Sequence, residues 1–173
     1  MSSASSYISL SQAAEKLHLS TATILRWIAA DALLVRRNPN QEPQVATESI
    51  DALIHAKKSL PIIDPVAPDV LKIAIVEDDL DLTKLLEMTI HSFDFKTQIQ
   101  TASNGLIGLA LLSEYKADVL IADLNMPVMD GFRMLNAIEG TDLAPKKIIV
   151  TTALSAADID ARGGLPQKAQ LIR

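Results

Sequence analysis

Val119-Leu-Ile-Ala122 runs straight into Asp123, and Val70-Leu-Lys-Ile-Ala-Ile-Val76 runs straight into Glu77-Asp78-Asp79. Ile148-Ile-Val-Thr151 is a third run of the same kind and leads to Thr152. Short, continuously apolar runs of this sort mark strands buried on both faces. Phe95 to Ile99 is a weaker strand candidate, and Gln170-Leu-Ile-Arg173 is the candidate for a fifth strand. Helical periods fill the gaps: Leu82, Leu85, Leu86 and Ile90; then Leu106, Leu109, Ala110 and Leu112; then Phe132, Met134, Leu135 and Ile138. Alternation of strand and helix predicts an α/β doubly wound parallel sheet, with helices on both faces. Such sheets bind ligands at the carboxyl ends of their strands. The acids stand at those ends.

A carboxylate after a strand often does no more than cap the next helix, and Asp79 or Asp81 fits that role. Three carboxylates and a threonine at the same end of different strands ask for more. Gathered carboxylates repel one another and raise each other's pKa unless a hard cation is present. Mg²⁺ suits such a site, because it takes a few carboxylate oxygens and keeps positions open for water and a phosphoryl group. A carboxylate there can act as a phosphoryl-accepting nucleophile, with a neighbouring hydroxyl to bond the new oxygens.

Val76-Glu77-Asp78-Asp79, Asp123-Leu-Asn-Met-Pro-Val-Met-Asp-Gly131 and Ile149-Val-Thr-Thr-Ala153 resemble the signature of response-regulator receiver domains, over about residues 71–161. The resemblance implies a flavodoxin-like fold with Asp123 as phosphoacceptor and Thr152 as switch hydroxyl. It further implies Mg²⁺ held by Asp78 directly, by Glu77 through water, by Asp123 and by the Asn125 backbone carbonyl. A histidine kinase or phosphotransfer protein would be the donor, with no enzyme activity beyond self-catalysed phosphoryl transfer and slow loss of the group. The family's Lys-Pro pair and last helix are not found, and Arg173 stands about where the lysine would come. The segment Asp158-Ile-Asp-Ala-Arg-Gly-Gly-Leu-Pro166 reads as a short, glycine-broken fourth helix. Residues 70–173 are thus expected to form an incomplete receiver.

Working outward, residues 58–69 hold three prolines and no helical or alternating period, as a semi-rigid linker does. Before it, Ser9-Leu-Ser-Gln12 fits a capping box opening a helix to Leu17, and Ser20 caps a second helix to about Ala30. On the second helix Ile24, Leu25 and Ile28 share one face, with Ala22, Thr23 and Arg26 opposite. Val35 to Val45 reads as a hairpin around Asn-Pro-Asn, and Thr47 as the cap of a last helix. Residues 7–55 resemble the winged helix-turn-helix of the MerR and excisionase families. Residues 7–57 are therefore expected to form a small, mainly α, DNA-binding domain behind a disordered tail of residues 1–6. Ser20, Ala22, Thr23 and Arg26 would face bases and backbone of double-stranded DNA, while Arg36 and Arg37 on the wing would meet phosphates.

Composition frames both readings. The 173 residues suit two small domains. Hydrophobic residues make up 49%, enough for a sizeable core, and the absence of cysteine excludes thiolate chemistry and disulfides. Residues 1–60 carry six Lys/Arg against five Asp/Glu, a balance of +1; residues 61–173 carry ten against sixteen, a balance of −6. No apolar run is long enough to span a bilayer, and the start lacks the features of a signal peptide, so the expectation is a cytoplasmic protein without a membrane partner. The whole reads as a phosphorylation-controlled DNA-binding regulator, expected to act as a homodimer. Two alternatives stand beside it: a hydrolase using the same nucleophile, and a phosphorylation-independent adaptor with a degenerate receiver. Neither His18, His55 nor His91 falls in a segment that would serve a hydrolase.

Overall fold

The computed structural model describes residues 6–37, 41–61, 67 and 69–172. The turn expected at Asn38-Pro39-Asn40, half of the proline-rich linker (residues 62–66 and 68), Arg173 and all of the N-terminal tail but Ser6 lie outside them. Ser6 itself is tied down, its carbonyl accepting from the Thr47 backbone N–H at 2.9 Å.

In chain order the elements are β1 (Tyr7–Ile8), α1 (Leu10–Leu17), α2 (Thr21–Ala29), β2 (Val35–Arg36), β3 (Gln44–Ala46) and α3 (Thr47–Ser59). There follow β4 (Leu71–Val76), α4 (Leu80–His91), β5 (Thr97–Ala102), α5 (Gly105–Glu114), β6 (Val119–Ala122), α6 (Gly131–Ile138), β7 (Lys147–Thr151), α7 (Ala156–Ala161) and β8 (Ala169–Ile172).

The second set builds a five-stranded sheet in the order β5-β4-β6-β7-β8, every pair parallel. Alternate residues divide between its faces, because side chains point to opposite sides with a period of two. Ala74, Val76, Leu120, Ala122, Ile148 and Val150 join the large core that includes Leu109, Leu112, Leu135 and Ile138 of α5 and α6. Ile73, Ile75 and Ile121 form a smaller cluster with Ile90 of α4, Leu86 and Ile149 packing alongside. α4 carries the outward-facing Leu82, Leu85 and Met88, and β8 ends on Leu171 and Ile172, both exposed.

One sequence expectation shifts in this sheet and another holds. The second strand of the sheet is Thr97–Ala102, not Phe95 to Ile99. It lies at the sheet edge, where the Thr/Gln-rich run still pairs with β4, while Phe93 and Phe95 stack on each other before it begins. The fourth helix is the expected short one, six residues closed by Gly163 and Gly164 in the left-handed region.

The first set folds into three helices and an antiparallel sheet in the order β1-β3-β2. Ser9 and Gln12 form the reciprocal capping box, and Ser20 caps α2 through the Thr23 N–H. α3 runs two residues further than residue 57 and has Ala46 at its cap, without a side-chain bond. Thr47 is its first residue, and its hydroxyl is turned to Ser6 at 2.7 Å instead. On α2 the buried face is Thr23, Ile24, Trp27 and Ile28. Leu25, placed on that face by its spacing, is 46% exposed, because fully buried Trp27 takes the place in the core. Among the described residues no helix is long and apolar enough to cross a membrane.

Candidate functional site

Strand register lines up the acids. Val76 pairs with Ala122, and Ala122 with Val150, so Glu77, Asp123 and Thr151 come next along three neighbouring strands on one rim. β8 brings Ile172 opposite Thr151. Glu77, Asp79, Leu82, Asp123, Thr151, Thr152, Ala153 and Ile172 line a cavity of about 370 Å³ there.

Glu77, Asp78 and Asp123 each offer one oxygen, and these oxygens lie within 4.8 Å of one another. Glu77 is buried at 5% exposure; its Oε1 accepts from the Asp79 N–H at 3.1 Å, and its Oε2 is buried with no hydrogen-bond partner. Burial pushes the Glu77 carboxyl above the usual carboxylate range, and the charges of Asp123, Asp78 and Asp79 add to the rise. An orphaned, charge-crowded carboxylate oxygen beside two more is what a small hard cation would relieve. The residues present fit such an ion.

Asp79 is the N-cap of α4, accepting from the Asp81 and Leu82 N–H groups, so it caps as well as lining the cavity. The Asp123 carboxylate is fixed by the Asn125 backbone N–H, 2.9 Å from Oδ2. The loop beyond it is held close: the Gly131 N–H donates to the Leu124 carbonyl, and the Met129 carbonyl accepts from Gly105 N–H. A Cβ on Gly131 would lie 2.1 Å from the Asp123 carbonyl oxygen, so only glycine lets α6 start this close. Val128, at the tip of the loop, is 74% exposed with φ of +68°.

Thr152 is half-buried one residue past the end of β7, its hydroxyl 3.4 Å from the Leu154 N–H. Thr151, the last residue of β7, also lines the cavity, and its hydroxyl is buried without a partner.

A profile described as the response regulator receiver domain matches residues 73–165. The chain belongs to that family. Among curated relatives of this receiver, the transcriptional regulatory protein FlgR of Helicobacter pylori is 43% identical over 70 residues, 40% of this chain and 18% of that protein. The transcriptional regulatory protein AfsQ1 of Streptomyces coelicolor is 35% identical over 91 residues, 53% of this chain and 38% of its own length. A protein-glutamate methylesterase/protein-glutamine glutaminase of Myxococcus xanthus is 30% identical over 83 residues, 48% of this chain and 24% of that one. The chain thus spans well under half the length of these relatives. Among solved structures, the receiver domain of a sensor histidine kinase from Pseudomonas aeruginosa PAO1 superimposes with a TM-score of 0.50 at 18% identity, covering 58% of this chain and 84% of that one. At that identity the likeness speaks for the fold.

The other residues singled out in the sequence lie away from this receiver's acidic rim. Ser20 and Ala22 are exposed at the start of α2, and Thr23 is 3% exposed with its hydroxyl 2.8 Å from Ser20 Oγ. Buried in that way, Thr23 serves the cap and presents no open face to a base. Arg36 donates to Gln44 Oε1 at 2.7 Å and stacks 4.4 Å over the Tyr7 ring, while Arg37 is exposed. Arg26 has partners that no local sequence signal foretells. Its Nη2 meets Glu139 Oε2 at 2.6 Å, and its Nε donates to the Asn136 carbonyl at 2.9 Å.

Proposed function

We propose that this chain is a DNA-binding response regulator of a two-component phosphorelay, accepting a phosphoryl group on Asp123. The observation that carries the reading is the convergence of Glu77, Asp78 and Asp123, with a Glu77 oxygen buried and unpaired. In this reading Glu77, Asp78, Asp123 and the Asn125 carbonyl hold Mg²⁺, which when bound offsets the charge of the carboxylates and the incoming group. The Asp123 carboxylate forms the new O–P bond as the donor's N–P bond breaks, and a histidine kinase or phosphotransfer protein is the donor. The Asn125 N–H keeps the nucleophile oriented. The Thr152 hydroxyl then bonds the phosphoryl oxygens, in a cavity it shares with Thr151.

Residues 7–57 act as the winged helix-turn-helix, joined by residues 58–69 to the receiver of residues 70–173. The capped pair α1 and α2, and the antiparallel β2 and β3, with Arg36 on β2 and Arg37 just after it, support this reading. Two copies of the chain would read paired half-sites on duplex DNA in the cytoplasm.

Incubation with acetyl phosphate and Mg²⁺, followed by intact mass measurement, tests the core of the proposal. A gain of about 80 Da, one phosphoryl group on a carboxylate, is expected, and its loss in Asp123→Asn. No adduct under any Mg²⁺ concentration would leave the phosphorylation-independent adaptor as the better reading.

A further inference from the structure

Thr151 is the one residue of the acidic rim that packing does not explain. Along β7, Ile148, Ile149 and Val150 are aliphatic, and the run then ends on a hydroxyl. One step past the Ala122–Val150 pair, Thr151 stands beside Asp123, and on its other side it pairs with Ile172 of β8. Its Oγ1 is buried and has no hydrogen-bond partner among the described residues. A buried hydroxyl left unpaired costs stability. Valine has nearly the same shape, suits a strand equally well and carries no such penalty.

Another unpaired buried oxygen lines the same cavity. It is Glu77 Oε2, an acceptor at the end of β4. β4 and β7 flank β6 in the sheet, so Glu77 and Thr151 stand on opposite sides of Asp123. A spare acceptor on one side and a spare donor on the other is the polarity of a bound cation next to a bound anion. The carboxylate suits the cation, and the hydroxyl suits an oxygen of the anion.

We propose that Thr151 is a second phosphoryl-binding hydroxyl, donating from Oγ1 to an oxygen of the group carried on Asp123. This rests on the reading of Asp123 as phosphoacceptor. Thr152 is the next residue, and successive side chains along extended backbone point opposite ways. The two hydroxyls therefore reach the phosphoryl group from different sides. Thr152 Oγ1 already accepts from the Leu154 N–H at 3.4 Å, whereas Thr151 Oγ1 has no bond to give up.

Beryllofluoride is a suitable probe, because its beryllium bonds to a carboxylate oxygen and its fluorides stand where phosphoryl oxygens would. Its binding to the full chain with Mg²⁺ is followed by fluorine NMR. Thr151→Val is expected to weaken binding about tenfold, the worth of one hydrogen bond to a charged group, and to shift one bound fluorine resonance. Thr151→Ser, which keeps the hydroxyl, is expected to restore both. In EDTA without the probe, Thr151→Val is expected to melt no lower than the parent chain, since it removes an unpaired buried hydroxyl. Parent-like affinity with an unchanged fluorine spectrum in Thr151→Val would overturn the assignment. Equal weakening in the Val and Ser variants would overturn it too, by tracing the loss to packing. No bound resonance from the parent chain, or one that survives in Asp123→Asn, would overturn the phosphoacceptor reading and the role of Thr151 with it.

Discussion

Gly131 is the residue where the site tolerates least change. Its missing Cβ would fall 2.1 Å from the Asp123 oxygen and 2.8 Å from Leu124 Cα, both backbone atoms that cannot swing away. Gly131→Ala is expected to destabilise the protein by about 3 kcal/mol, the upper range for forced overpacking, measured by denaturant unfolding. Glu77 gives the opposite sign. Its pKa is raised in the folded state by burial first, then by its acidic neighbours, so its charged form opposes folding and stability falls as pH rises through its titration. Glu77→Gln is therefore expected to raise the melting temperature in EDTA, while weakening the stabilisation that added Mg²⁺ gives the parent chain. A lower melting temperature in EDTA would contradict this account of the pocket. Tyr115 reports on a different wall. It is 1% exposed, its hydroxyl donates to the Gln98 carbonyl, and burial, with the Asp118 charge, pushes its pKa up to about 12. The stability it contributes is complete below the unfolded value near 10 and is lost between pH 10 and 12. Absorbance at 295 nm should show it ionising at that upper limit, together with unfolding.

At the scale of elements, α1 depends on its reciprocal cap, and Ser9→Ala should cost about 1 kcal/mol, read from thermal unfolding. On α4, Leu85→Gln and Met88→Gln should each change stability by less than about 0.5 kcal/mol, because both side chains face outward. How much of this was legible in the sequence depends on locality. β4, β6 and β7 announce themselves through apolar runs, and the acids sit one step past them, so fold and pocket read together. β5 hides because an edge strand pairs on one side only and stays half-buried, so Thr97–Ala102 lacks the continuous apolar run that marks the inner strands. On α2 the spacing allows either Leu25 or Trp27 inward, and only the assembled core decides between them. The partner of Arg26 lies 113 residues away, beyond any local pattern.

For the whole molecule, the bonds from α2 to α6 and from α3 to α5 make the two parts one body at rest. Small-angle scattering should give a radius of gyration near 16 Å, about the value for a single globule of this length; a clearly larger value would contradict the contacts of α2 with α6 and of α3 with α5. α6 itself is only eight residues, about 12 Å of helix. One end is seated on the Asp123 carbonyl through Gly131, and Glu139 follows the other. The helix is a strut with a fixed length and a fixed phase. Adding one residue within it would swing Glu139 by about 100° and advance it by about 1.5 Å, letting go of Arg26 while the chemistry at Asp123 stayed whole. Evolution can therefore repaint the surface of α6 freely, but it cannot lengthen or shorten that helix without cutting the line between its two ends.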